Sequence, residues 1–251
     1  TTLENRIYLV NLDAAAIQEL DEAGRVVGSF PVPDDLSRFN SVSLTAGPDS
    51  LFYVNRSMNP DVLWEIDPVD GRVIDSDELD VRVTDISYYD GQVFLLSTGG
   101  SISSFDLKTD TVSAAPTGSF FSSGLAVLDG PEQIVQYSRT DLQVSTFESS
   151  NRVTLDVETE FRSITSLGTN GSDIWTIVRG EILAFDRRGN LLDEISLDPF
   201  SDYGAIAVGK LPEVDLDEHV ITLGPGETKR DLNFGNVDQP RGTAFGVVWN
   251  D

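Results

Sequence analysis

The sequence predicts an all-β fold: a five-bladed β-propeller of four-stranded antiparallel blades, its ring closed by a C-terminal strand that pairs with the N-terminal blade. Three observations predict it. A strand–turn–strand phrase recurs five times on acidic pivots at Asp21, Asp67, Asp106, Glu148 and Asp186, with gaps of 46, 39, 42 and 38 residues. The segments between the pivots read as strands, and no stretch keeps a helical period for an adequate length. Finally, the first unit lacks its opening strand, while one surplus copy of that strand follows the fifth unit.

The elements follow in order within each unit. A strand rich in small residues comes first: "SVSLTA" (41–46), "TDISYY" (84–89), "SGLAVL" (123–128) and "ITSLGT" (164–169). Turn formers follow, as "GPDS" (47–50), "DGQ" (90–92), "DGPE" (129–132) and "TNGS" (169–172). An apolar strand comes next: "RIYLVN" (6–11), "LFYVNR" (51–56), "QVFLLS" (92–97), "QIVQYS" (133–138) and "DIWTIV" (173–178). The recurring hairpin closes the unit, as in "LWEIDPVDGRVIDS" (63–76) and "ILAFDRRGNLLDEI" (182–195). Its pivot acid is expected to cap the turn by accepting backbone N–H groups. Calcium bridged by pairs such as Asp67 and Asp70 stands as the alternative. Phe52, Phe94, Trp175, Trp64, Phe105, Phe147 and Phe185 fall on the repeated strands and are expected in the core between blades. "NLDAAAIQEL" (11–20) is the best helical candidate, but it aligns with the third strand of the other units. The surplus strand "YGAIAVG" (203–209) is expected beside residues 6–11, where closure removes two exposed sheet edges. The propeller then spans 1–210, and 211–251 is a tail or linker outside the blade pattern.

Composition narrows the partners. With 42 acidic against 17 basic residues the net charge is −25, which repels nucleic acid and anionic lipid. Lysine occurs only at Lys108, Lys210 and Lys229, the remaining bases being arginine. A GC-rich coding bias and adaptation to a saline exterior both account for this, and both stay open. No run approaches the roughly 18–20 apolar residues of a membrane helix, so membrane insertion is not expected. The chain opens on Thr1 without a signal-like leader, and is expected to be a mature or excised fragment. Cysteine is absent, which removes disulfides and thiolate metal sites and leaves the redox compartment open.

Two phrases in the tail carry a resemblance. "EHVITLGPGETKRDLNFGN" (218–236) followed by "PRGTAFGVVWND" (240–251) resembles the junction between consecutive B-type repeats of collagen-adhesin surface proteins of bacteria. The resemblance implies an extracellular, modular, surface-attached setting. The calcium ligands of that family lie beyond the matched phrases, so none transfers to this chain. The blades resemble, more loosely, NHL/YVTN and quinoprotein-like repeats through "EIDPVDGRVID" and "FDRRGNLLDEI", which concerns blade shape and carries no site residues.

Catalytic constellations are scarce. His219 is the only histidine and sits in the tail, so neither a serine triad nor a histidine-based metal site is expected. "STGGSIS" (97–103) reads as a hairpin turn rather than a phosphate loop. Carboxylates remain: Asp85 and Asp202 stand at the starts of first strands and are the candidate acid pair of a glycoside hydrolase or lyase, which needs carboxyls about 5–9.5 Å apart. Arg56, Arg139 and Arg179 follow the second strands and are expected at the same mouth of the ring. There they either converge on an anionic ligand or neutralise Asp61, Asp141 and Glu181 nearby. The expected function is a non-catalytic binding domain for an extracellular glycan or protein, a single module of a larger secreted or surface-anchored chain, with no cofactor beyond calcium. The glycosidase or lyase and a purely structural spacer are the alternatives.

Overall fold

The computed structural model describes residues 6–34, 41–56, 60–114, 124–129, 133–138, 141–146, 149–155, 157, 164–178, 180–198 and 201–209. Its strands are β1 (Arg6–Asn11), β2 (Ala16–Leu20), β3 (Val26–Pro31), β4 (Val42–Ala46), β5 (Leu51–Asn55), β6 (Asp61–Ile66) and β7 (Val73–Leu79). The series continues with β8 (Val83–Tyr89), β9 (Gln92–Ser97), β10 (Ile102–Asp106), β11 (Thr111–Ala114), β12 (Gly124–Leu128), β13 (Gln133–Ser138), β14 (Asp141–Thr146) and β15 (Ser149–Thr154). It ends with β16 (Ile164–Thr169), β17 (Ile174–Val178), β18 (Glu181–Phe185), β19 (Leu191–Ser196) and β20 (Tyr203–Gly209).

These strands form five antiparallel sheets of four, making a five-bladed β-propeller. Blades two to five are β4–β7, β8–β11, β12–β15 and β16–β19. The first blade has the order β20-β1-β2-β3, so the surplus strand closes the ring as expected. Arg6 pairs with Gly209 and Leu9 with Ile206 along that closure. "NLDAAAIQEL" resolves into a turn over 12–15 and strand β2.

Burial explains the strand compositions. Each sheet packs both faces on neighbours, so second strands such as β5 and β17 are buried at every residue and read as continuous apolar runs. Alternation along one strand then serves two different seams. Tyr8 and Val10 pack with Leu44, Tyr53 and Trp64 of the second blade, whereas Ile7 and Leu9 pack with Trp175 and Ile182 of the fifth. The other seams are filled by Phe52, Ile86 and Phe105 between blades two and three, Phe94 and Leu125 between three and four, and Tyr137 and Phe185 between four and five. Six of the seven aromatics expected in the core are buried there; Phe147 lies outside the described residues. Outermost strands carry the exposed aliphatics, among them Val26, Val27, Ile74, Leu191 and Leu192.

The hairpin turns behave as their acids predict. Asp21 Oδ1 accepts the Ala23 and Arg25 N–H groups, and Asp186 Oδ1 accepts those of Arg188 and Asn190. Asp106 Oδ1 accepts from Lys108 and Thr109. Partner groups favour the ionised forms: the Arg25 side chain lowers the Asp21 pKa, the Lys108 N–H that of Asp106 and the Asn190 side chain that of Asp186. The Asp67–Asp70 pair is engaged likewise, Asp67 Oδ1 accepting from Val69 N–H and Asp70 Oδ1 from Arg72 N–H. Gly71 closes that turn at φ 74°, and a Cβ there would overlap Phe30 of the neighbouring blade. Glu148 and the tail 211–251, with its adhesin-like phrases, lie outside the described residues.

Candidate functional site

The first strands of the blades, β4, β8, β12, β16 and β20, stand side by side around the axis. Each pairs on one edge with an antiparallel second strand. Bonds between neighbouring first strands advance in step, Ser43 with Thr84 and Thr45 with Tyr88, Asp85 with Leu125 and Ser87 with Val127, as strands running in one direction along the axis do. The ring therefore has one mouth where they start and another where they end.

The start mouth holds the residues singled out in the sequence. Asp85, in β8, is 2% exposed. Its Oδ2 accepts the Leu125 N–H at 2.8 Å from the neighbouring blade, and its Oδ1 accepts the Ile86 N–H at 3.0 Å. Burial pushes its pKa up to about 7, against those two hydrogen bonds, one from Ser43 and the nearby Arg56 charge. Arg56 thus lies near enough for its charge to act on Asp85. The Arg56 N–H donates to the Ser41 carbonyl, and its own carbonyl accepts from Arg82 Nη2 at 2.8 Å. Arg82, which sequence reading did not single out, also places Nη1 3.5 Å from Oδ1 of the buried Asp61, whose Oδ2 accepts the Val83 N–H. Asp202 lies just before β20 and is exposed, its N–H donating to Asp13 Oδ2 at 3.1 Å. Arg139 and Arg179 fall outside the described residues.

Asp85 belongs to a pattern. An innermost strand has one edge without a ladder partner, and its N–H groups there point toward the axis. Side chains of the preceding blade accept them. Thr45 Oγ1 takes the Tyr88 N–H at 3.0 Å, Ser87 Oγ the Val127 N–H at 2.9 Å and Ser166 Oγ the Ile206 N–H at 3.4 Å. In the opposite sense, Ser43 Oγ donates to the Thr84 carbonyl at 3.3 Å. Small side chains let the first strands approach closely, and their hydroxyls satisfy the open edges. Asp85 performs the same task with a carboxylate, directed into the seam and away from solvent.

At the end mouth the turns between first and second strands converge on a cavity of about 310 Å³ lined from all five blades. Among the described residues, its most chemically capable side chains are Tyr88, Tyr89, Asp90, Asp129, Thr169 and Asn170. The walls are held firmly. Tyr88 stacks parallel on Phe52 with ring centroids 5.6 Å apart, and its hydroxyl accepts the Gly91 N–H. Asp90 and Gly91 turn the chain at φ 45° and 78°, a pairing suited to a two-residue hairpin. Asn170 Oδ1 accepts the Ser172 and Asp173 N–H groups, closing the turn opposite. Asp129 donates its N–H to the Gly171 carbonyl at 2.7 Å, and its carboxylate covers Gly171 so closely that a Cβ would collide. Both acids are exposed. Among the described residues, no three carboxylate or histidine groups gather as a metal set.

From sequence these segments read only as turns, and the candidate ligand-binding residues fall at the other mouth. The signal is nevertheless present: "GPDS", "DGQ", "DGPE" and "TNGS" occupy equivalent places in a ring, and Pro48, Asp90, Asp129 and Asn170 from them line one opening.

No family model matches this chain, and no curated protein does. Among solved structures, it is similar to glutaminyl cyclase of Myxococcus xanthus, with TM-score 0.52 and 13% identity over 62% of this chain and 70% of that one. It is also similar to a chain of a nidogen/laminin complex, with TM-score 0.53 and 8% identity over 81% of this chain and 98% of that one. BamB of Moraxella catarrhalis aligns at TM-score 0.38 and 14% identity over 77% of this chain and 61% of that one. At such identities the likeness of the first two is one of fold alone.

Proposed function

We propose that this propeller is a non-catalytic binding domain of a secreted or surface-attached modular bacterial protein, and that it takes a glycan or protein ligand at the end mouth of the ring. One observation carries the reading: a cavity of about 310 Å³ lined from all five blades, by four turns and the end of β20. Its size lies at the lower end of ligand pockets, which suits one sugar or one side chain of a larger partner. A site contributed by four separate turns and the ring-closing strand β20 is held by the whole ring, so its shape is set before a ligand arrives. The setting rests on the adhesin-like phrases at 218–236 and 240–251 and on the acidic surface.

The test is an array of extracellular oligosaccharides and peptides against the intact chain and its Pro48→Trp variant. Pro48 is exposed and lines the cavity, so an indole there fills the opening without disturbing the core. Binding to the parent that weakens at least about tenfold in Pro48→Trp, at unchanged melting temperature, is the expected result. Equal binding by both proteins, or no binding by the parent at millimolar ligand, overturns the reading.

A further inference from the structure

We infer that the end-mouth cavity is sensitive to tension: pulling the two ends of the ring apart peels β20 from β1 and takes part of the cavity wall with it. The inference rests on the binding reading above and adds a way in which that site is regulated. The polypeptide enters the ring at Arg6 and leaves it at Gly209, and these two residues are cross-strand partners. Both sit at the end mouth, where Val208 and Gly209 form part of the cavity lining. Because β1 and β20 are antiparallel, tension applied through those two points meets the pairs one at a time, Arg6–Gly209 first and Ile7–Val208 next. Strands pulled from opposite ends of a ladder would instead share the tension over every rung. The first rungs to open are thus the ones that hold Val208 and Gly209 in the cavity wall.

Of the two strands that meet the tension, β20 yields first. β1 is bonded on both edges, to β20 and to β2, whereas β20 has a ladder on one edge. Toward the fifth blade the Ile206 N–H reaches Ser166 Oγ at 3.4 Å, a long bond. Four of the seven residues of β20 are Gly204, Ala205, Ala207 and Gly209, which bury little apolar surface. Packing demands small residues here, since a Cβ on Gly204 would collide with Val42 of the second blade. Tyr203, Ile206 and Val208 supply the larger contacts, in the seam with the fifth blade. β1, by contrast, buries Tyr8 and Val10 in one seam and Ile7 and Leu9 in the other. Loss of β20 leaves blades two to five with four strands each and the first blade with three. An opened ring therefore stands between the intact propeller and the unfolded chain, as a local opening of the least tied element.

The experiment pulls the full chain in an optical trap between two introduced cysteines, Thr2→Cys and Lys210→Cys. The parent has no cysteine, so both attachments are unique. Release of β20 should appear as a separate first step that reverses when the tension is relaxed. It should lengthen the tether by roughly 40 Å, the extended length of seven residues together with the height of the blade that then separates Arg6 from Asp202. The remaining blades should unfold in later steps at higher force. Val208→Ala trims β20 and should lower the force of the first step alone, and the milder Ile206→Val should move it in the same direction. Leu142→Ala, at a buried position of β14, should lower the later force and leave the first step where it is. A single event that releases the whole ring, a first step several times longer than a strand, or a first-step force indifferent to both β20 variants overturns the inference. No ligand enters these measurements, so such a failure leaves the binding reading standing. Failure of the Pro48→Trp binding test, which is run without tension, removes the site and with it the regulation, whatever the trap records.

Discussion

At the scale of single residues, Asp85 is the most informative side chain. It is an acid in a seam where the other blades use hydroxyls, and that choice has a consequence for pH. Unfolded, the carboxyl titrates near 3.8; folded, burial raises it to about 7. Between those values the folded chain holds a proton that the unfolded chain has released. The group's contribution to stability is therefore full below its unfolded pKa and is lost as pH rises through the folded one. Asn has no proton to lose. Asp85→Asn should thus narrow the difference in melting temperature between about pH 5 and about pH 8, measured by differential scanning calorimetry. An undiminished difference would show that other acids, not Asp85, set the pH dependence. The pivot acids behave in the opposite direction. Their pKa values are lowered by hydrogen bonds from their own turns, so their contribution is present at neutral pH and fades in acid.

At the scale of elements, the first strands show why a run of small polar residues is a structural requirement here. Ser43, Thr45, Ser87 and Ser166 are buried, and each bonds to an open edge of the next first strand. A buried N–H without an acceptor costs about 1–3 kcal/mol. Ser87→Ala orphans the Val127 N–H and should destabilise the fold by that amount, lowering the melting temperature by roughly 2–4 °C for each kcal/mol. Urea unfolding measures the same loss directly. A change within experimental error would mean that the Val127 N–H finds water in the channel and that the seam bond is incidental. The second strands need no such device, since both of their edges are paired and both faces buried.

At the scale of the whole molecule, the ring is held shut by β20 against β1. The Ile206 N–H points to Ser166 rather than to β1, so Leu9 and Ile206 form a non-hydrogen-bonded cross-strand pair, the kind with the closest side chains. That geometry suits a disulfide. A Leu9→Cys, Ile206→Cys variant of this cysteine-free chain should oxidise to a single bridge that joins the two ends of the propeller. In the chain-entropy account, a loop of about 100 residues gains close to 5 kcal/mol, and this one is longer. The oxidised form should melt at least about 5 °C above the same variant reduced, which isolates the bridge from the cost of trimming two core side chains. Equal melting of the two forms would contradict closure through this pair.

The sequence by itself determined the fold, because each blade must bury two faces and cap one hairpin. Those local demands repeat in order, and a strand missing at one end and surplus at the other has one economical solution. Periodic apolar runs, small first strands and the acids at Asp21, Asp67, Asp106 and Asp186 all follow from interactions within a unit or with its neighbour. Tertiary structure alone decided that the end mouth encloses a cavity, because that depends on how four turns and the end of β20, far apart in the chain, converge. Asp90 and Asp129 are unremarkable in "DGQ" and "DGPE", and become a pair of charges in one cavity only when the ring closes. The same holds for Asp85. As letters it is an acid at the start of a strand, a fair candidate for chemistry. Only the packing of one first strand against the next shows its carboxylate turned into a seam, where the loss of water sets its proton affinity.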